Sequence, residues 1–399
     1  MMDSPKITVI IPTRERCDVL EASLRTVTAQ SYNNIEIIVS DNFSADATTD
    51  VVRRADDSRI RYLNTGKRLS MSHNWEFALS HVDDGWVTFM GDDDGLLPEA
   101  IRSVADIIKQ TGLKAIRSAF CTYDWPATNG NEHGQLIVPM SFGLSVRDSK
   151  KWMSKVMCGR EKYTQLPMIY NGGFIHISVL KKIKENTGSF FLSSSPDIYS
   201  SIAIASVIDR YAYSKVPCSI SGTSMHSIGT SFYSISKYRD SLPAAKFSSE
   251  KNLPFHPDMP LHPDGSYPLS LHALVYESYL QSGTLRPTSI KVSHMQQLEV
   301  IMATAGVHHE SIHEWGKIFA DQHGLDYDKA RRSAALKALY LRPRATLRKI
   351  ANTANSVITE NLPIKDIFEA SIAASVIRAS PKRMDTLLFL IKRLTAMRR

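Results

Sequence analysis

No two cysteines in this sequence are close enough to form a CxxC pair: Cys17, Cys121, Cys158 and Cys218 are widely separated. That spacing argues against a zinc site and against a secreted disulfide scaffold, and it fits a reducing cytosol. Long apolar runs are also missing. The first run, Ile7–Ile11, is far shorter than a membrane span or a signal core, so no targeting segment is expected. No GxGxxG follows that run and no GxxxxGK(S/T) occurs, which disfavours dinucleotide-dependent hydride transfer and P-loop ATP hydrolysis. Charge of one sign is scarce as well, except at the end. The net charge is +8, yet Arg342 to Arg399 holds twelve Lys/Arg against four Asp/Glu, which leaves the preceding chain balanced. A basic excess confined to a tail without a reader motif makes nucleic acid a poor partner.

What is present fits a soluble globular chain, with 43% hydrophobic and 22% charged residues. At 399 residues two domains are expected. The first 120 residues alternate short β-branched runs with segments of helical spacing. The runs are Ile7–Ile11, Ile35–Ser40, Arg59–Leu63, Trp86–Met90 and Ala115–Phe120, and the helical patterns fall near Cys17–Gln30, Asp46–Ala55, His73–His81 and Pro98–Gln110. This is the grammar of βαβ units, and it predicts an α/β fold with a parallel sheet between helices.

Residues 121–240 are less regular and read as a substrate-facing second half of the same domain. Residues 241–270 hold six of the 18 prolines and read as a linker or an extended excursion over the surface. Residues 271–399 read as a helical C-terminal region, with helices expected at His272–Ser282, His309–His323, Asp328–Leu341, Arg344–Thr359 and Met384–Met397.

In open α/β sheets ligands gather at the carboxyl ends of strands. The residues there are Pro12-Thr13-Arg14-Glu15, Asp41-Asn42-Phe43-Ser44, Asn64 to Arg68, and Gly91-Asp92-Asp93-Asp94. Three consecutive carboxylates after a buried strand repel one another unless a cation or a donor network offsets them. Mg²⁺ or Mn²⁺, held by one or two carboxylates plus substrate phosphates, suits such a loop. Helix capping at Pro98 is the plainer alternative. Asp41 could accept from a base or a ribose hydroxyl, or simply form an Asx-turn. Lys67 and Arg68 could meet phosphate charge or be solvated.

Taken together, Thr8 to Arg14, Gln30-Ser31-Tyr32, Ile35 to Asn42, Asn74, Ala78-Leu79 and Gly91 to Asp94 resemble the family 2 glycosyltransferases of GT-A fold over roughly residues 5–225. The resemblance implies a metal-dependent, inverting hexosyltransferase. It would move a sugar from a UDP-, GDP- or dTDP-sugar to a glycan or lipid-linked acceptor, as in cell-surface polysaccharide synthesis. It implies that Pro12, Thr13, Arg14, Glu15, Asp41, Asn42, Arg68, Asn74 and Asp92 bind the donor, that Asp93, Asp94 and His226 face the metal, and that Asp197 is the general base. The sequence departs from the family pattern at Gly91, where an aspartate is usual, and at Pro196, where an acidic residue often stands. Two alternatives stay open: a non-catalytic sugar-nucleotide or glycan-binding module, and a nucleotidyltransferase, although Pro12 to Glu15 lacks the glycines the latter needs. The basic tail either lies on an anionic membrane surface or packs on the catalytic domain. The expected location is the cytoplasm, or its membrane face.

Overall fold

The computed structural model describes residues 4–126, 134–225, 252–287, 292–359 and 362–379. In chain order the N-terminal half runs β1 (Ile7–Thr13), α1 (Cys17–Thr28), β2 (Ile35–Asp41), α2 (Thr48–Arg54), β3 (Ile60–Asn64), α3 (Met71–Leu79), β4 (Trp86–Phe89), β5 (Gly95–Leu96), α4 (Ala100–Thr111) and β6 (Ala115–Asp124). Next come β7 (Gln135–Pro139), β8 (Leu144–Asp148), α5 (Ser149–Met157), β9 (Gly173–His176), α6 (Ile177–Thr187), α7 (Pro196–Val207) and β10 (Arg210–Thr223). The rest is α8 (Leu271–Gln281), α9 (His294–Ala303), α10 (His309–Gln322), α11 (Tyr327–Ala354), β11 (Ser356–Thr359) and α12 (Ile367–Ala379).

The strands β3, β2, β1 and β4 pair in parallel; the largely apolar β1, β2 and β4 are buried on both faces, and the more polar, half-exposed β3 forms the edge. Alternate residues feed two cores. Ile7, Val9 and Ile11 pack with α1, α4 and α12, whereas Ile10 and Ile38 pack with α3, α6 and α7. Beyond β4 the expectation of a parallel sheet fails. β9 inserts antiparallel between β4 and β6, and β7 and β11 continue antiparallel to the edge. The insertion needs a glycine: a Cβ on Gly173 would lie 1.7 Å from the carbonyl oxygen of Met168.

A third core joins α5 and α7 to α8, α9, α10 and α11. α7 is buried nearly all round, so it is the shared wall between the sheet and the helical lobe. The proline-rich stretch before α8 is pinned along α10. Trp315 Nε1 donates to the Pro260 carbonyl at 2.7 Å and Gln322 Nε2 donates to that of Pro257 at 2.8 Å.

Two helices expected at 328–341 and 344–359 are one helix of 28 residues that runs through Pro343, followed by a strand. Proline removes one intrahelical bond, and here the residues around it are solvent-exposed, so water can take the released carbonyl. The C-terminal region also returns to the main sheet: β11 extends it beyond β7, and Ile367, Ala370 and Ala374 of α12 complete the core on α1. The helix expected at 384–397 lies outside the described residues.

Candidate active site

Parallel pairing brings the ends of three strands level, with Thr13 opposite Asp41 and Asp41 opposite Asn64. The loops that leave them are laced together. Asn42 N donates to the Thr13 carbonyl at 2.9 Å, Glu15 N to Ser44 Oγ at 2.8 Å, and Cys17 N to Asp46 Oδ2 at 3.0 Å. Glu15 and Phe43 both hold positive φ, at 52° and 59°, in the left-handed region that side chains avoid. Such strain persists where surrounding structure imposes it, and it gathers at ligand sites.

Of the residues expected to bind a donor, Pro12 and Arg14 are half-buried on the rim and Thr13 is buried. Arg68 and Glu15 form an ion pair across this rim. The fully buried Asp41 ties strand ends together: Oδ1 accepts from Ser44 N at 2.9 Å, and Oδ2 accepts from the Tyr62 hydroxyl at 2.5 Å and Asn64 Nδ2 at 3.1 Å. Asn42 staples the following loop, giving Nδ2 to the Leu69 carbonyl and accepting from Leu69 N at 2.7 and 2.8 Å. Asn74 holds α3 on β2 by accepting from Ser40 Oγ at 2.8 Å. The amides of Asn42 and Asn74 thus shape the cradle through protein contacts.

The acidic loop after β4 is buried along its length, and its three carboxylates have different partners. Asp92 Oδ1 pairs with Arg16 Nη1 at 2.8 Å. Burial pushes the Asp92 carboxyl up against the pull of Arg16, and the charge of Asp93 adds to the rise. Arg16 is held more firmly charged than usual, because Asp92 and Asp93 outweigh its own burial. Asp93 Oδ2 accepts from Ser224 Oγ at 2.6 Å, and its carbonyl accepts from Trp125 Nε1 at 3.1 Å.

Asp94 turns the other way. Oδ1 accepts from Gly222 N at 2.7 Å, and Oδ2 accepts from Gly91 N at 3.0 Å and the Tyr170 hydroxyl at 2.6 Å. With both oxygens engaged by protein donors, Asp94 locks the loop to β10. Burial, then the neighbouring charge of Asp93, raises its carboxyl well above the usual carboxylate range. His226 lies outside the described residues.

Asp197 stands in the first turn of α7, after Pro196 at the helix start. Its Oδ2 accepts from the Tyr163 hydroxyl at 2.7 Å, and burial raises its carboxyl, with that hydrogen bond opposing the rise. Tyr170 connects it to the acidic loop: burial first, then Asp94, Asp93 and Asp197, lifts the phenol well above its ordinary value. One ring therefore senses all three carboxylates.

Sequence reasoning passed over Arg16, Tyr163, Ser224 and Arg117. Arg117 is buried, with Nε donating to the Thr164 carbonyl at 2.7 Å and Nη1 to those of Asn171 at 2.5 Å and Tyr170 at 3.4 Å. Burial lowers its pKa to about 10. It thereby fixes the segment that carries both Tyr163 and Tyr170. The one available signal was Asn171-Gly172-Gly173, a turn in which Asn171 takes a φ of 46°.

The sequence model of glycosyl transferase family 2 matches residues 8–166. A Campylobacter jejuni GalNAc(5)-diNAcBac-PP-undecaprenol beta-1,3-glucosyltransferase is 38% identical over 103 residues, which is 25% of this chain and 33% of that protein. Escherichia coli WfaP, a UDP-Glc:alpha-D-GlcNAc-diphosphoundecaprenol beta-1,3-glucosyltransferase, is 28% identical over 88 residues, covering 22% of this chain and 35% of its own. The matched stretch thus spans about a third of each relative's length. Among solved structures, S. aureus TarS 1-349 in complex with UDP-GlcNAc superposes with a TM-score of 0.47 at 13% identity, covering 86% of this chain and 92% of that one.

Proposed function

We propose that this chain, whose residues 8–166 are a family 2 glycosyltransferase domain of GT-A fold, moves a sugar with inversion from a nucleoside diphosphate donor to a lipid-linked glycan acceptor. The observation that carries the reading is the meeting of two halves at Tyr170. The buried acidic loop is bonded to the Tyr170 hydroxyl through Asp94 and to Arg16, beside the β1 end, through Asp92, and Arg117 fixes the segment that carries both Tyr170 and Tyr163, the partner of Asp197. The acceptor class is suggested by the diphosphoundecaprenol substrates in the names of the relatives.

In this reading Asp197 takes the proton of an acceptor hydroxyl as its oxygen attacks the anomeric carbon. The bond to the diphosphate breaks on the opposite face, and the leaving group departs with the bonding pair. Tyr163 orients the Asp197 carboxylate. Arg16, charged and beside Asp92, supplies positive potential where diphosphate charge develops.

Asp92 and Asp93 fit a Mg²⁺ or Mn²⁺ ion by their chemistry. They are adjacent hard-oxygen donors, and Asp92 carries a repulsion that Arg16 offsets in part. Among the described residues no cluster of three or more metal-binding side chains exists, so phosphate oxygens would complete the shell. Such an ion would supply charge neutralisation of the diphosphate.

The test is a screen of UDP-, GDP- and dTDP-sugars against a polyprenyl-diphosphate glycan acceptor, before and after chelation. We expect transfer with one donor, lost on chelation, regained with Mn²⁺ and abolished in Asp93→Ala. Transfer that survives chelation undiminished removes the metal from the scheme. Nucleotide binding without sugar transfer for any donor would favour a binding module.

A further inference from the structure

α11 buries one face, and among the described residues nothing covers the opposite face. Ala330, Ala334 and Leu341 point into the helical core, and Lys337 and Arg348 on the flank of that face pair with Glu299 at 3.2 Å and Glu161 at 3.0 Å. On the other side Leu336, Leu339, Tyr340, Leu347 and Ile350 are 69%, 74%, 43%, 64% and 59% exposed. At about 100° per residue these five fall within an arc of roughly 100°, a stripe about 20 Å long. Scattered surface leucines need no explanation, but a continuous stripe on one helix does.

The charge around the stripe indicates what covers it. The helix carries eight Lys/Arg and one acidic residue, Asp328. Arg344 borders the stripe on one side, with its guanidinium stacked 3.7 Å over the Tyr340 ring, and Arg342 and Lys349 lie beyond its other border. A second copy of the same helix would match the apolar spacing but would set like charges against like. An anionic bilayer matches both features, because apolar side chains enter the acyl boundary while long basic side chains reach the headgroups.

We propose that the exposed face of α11 is a docking surface for an anionic lipid membrane, on which the protein lies without spanning it. No described helix is long and apolar enough to cross a membrane. The sequence places basic excess throughout the C-terminal tail, and the structure locates the amphipathic face within the helical lobe, before the chain returns to the sheet. The proposal does not depend on sugar transfer, because vesicle binding is read without donor or acceptor.

The test is co-sedimentation of the full chain with phosphatidylcholine vesicles, with and without phosphatidylglycerol, at low and high salt. Wild type should pellet with the anionic vesicles and release with salt. The combined variant Leu339→Gln, Leu347→Gln, Ile350→Gln keeps every charge and should bind about tenfold or more weakly, with an unchanged melting temperature. Arg342→Glu with Arg344→Glu should weaken binding similarly and flatten its salt dependence. Three results overturn the proposal: wild type that ignores anionic vesicles, the glutamine variant pelleting as wild type does, or a wild-type dimer that the glutamine variant dissociates without any lipid binding.

Discussion

Replacing Glu277 with glutamine should make the protein more stable in alkali and leave it nearly unchanged in mild acid. Glu277 lies on α8, fully buried, with Oε2 accepting from the Ser193 hydroxyl at 2.5 Å and Oε1 from Gln281 Nε2 at 2.9 Å. Burial raises its carboxyl from 4.5 to about 7, against the pull of those two donors and of the His256 backbone amide. Because the folded pKa lies above the unfolded one, the native state holds the proton longer. Stability from this group is therefore complete below about pH 4.5, falls as pH rises, and is fully lost above about 7. At about 1.4 kcal/mol per unit, a shift of roughly 2.5 units amounts to about 3 kcal/mol. Glutamine has the same shape and never ionises, and its amide can donate to Ser193 while its oxygen accepts from Gln281. Urea midpoints of wild type and Glu277→Gln, followed from pH 5 to pH 8.5, should start together and separate by up to about 3 kcal/mol in favour of the variant. Parallel curves would refute the reasoning, as would a variant less stable than wild type at pH 8. The effect also reaches the site, since Ser193 stands four residues before Asp197 and its carbonyl accepts from Ser72 Oγ at 2.7 Å.

Asp197→Asn should lower sugar transfer by about 10² to 10⁴ and leave nucleotide binding nearly intact, checked by turnover and calorimetry. Since the base must be ionised, activity should rise with pH through a carboxyl held above its ordinary range. Tyr163→Phe, which removes a hydrogen bond that lowers that pKa, should move the rise to higher pH, and an unmoved profile would show that Tyr163 does not orient the base. Arg117→Met strands buried carbonyls of Thr164, Tyr170 and Asn171 and should cost at least about 3 kcal/mol by denaturant melting, whereas a loss below about 1 kcal/mol would mean that these groups find other partners. Gly91→Asp, although it restores the aspartate usual in the family, should reduce activity and melting temperature, because its Cβ would sit 2.8 Å from Asp94 Oδ2 and 3.1 Å from the Tyr170 hydroxyl. A gain of activity would show that the loop can open.

The parallel half of the sheet was legible because β1 and β2 are buried on both faces, so that Ile7–Ile11 and Ile35–Ser40 read as largely apolar, β-branched runs broken only by Thr8, Glu36 and Ser40. β9 was not, since four residues pinned by a close backbone approach at Gly173 carry no periodic signal. α12 carried one, with Ile367, Ala370, Ala374 and Ile377 at helical spacing, but the basic charge of the tail drew attention away from it. In the site, the acidic loop was visible from its place after a buried strand. Its partners were not: Arg16 is separated from Asp92, and Tyr170 from Asp94, by 76 positions each, and only the sheet brings them together. Asn42 and Asn74 stood at the right strand and helix, yet their amides face the protein, which residue type and position cannot distinguish from facing a ligand.

Gly91 was the strongest argument for a domain that binds without catalysing, because it removes a carboxylate from the acidic loop. The geometry weakens that argument. The space a side chain would take at 91 is filled by Asp94 Oδ2, which accepts from Gly91 N and from the Tyr170 hydroxyl. Gly91, Asp94 and Tyr170 thus form one arrangement in which the Asp94 carboxylate closes the loop. Asp92 with Arg16, and Asp93 with Ser224, are then held at fixed positions by a backbone that could not close this way around a larger residue. The Tyr170 hydroxyl closes the loop on Asp94 while Arg117 holds the backbone of the segment that carries Tyr170 and Tyr163, so one buried arginine sets the acidic loop's partner and the partner of Asp197 together, as a sugar-transfer site needs its leaving-group side and its base side held in register.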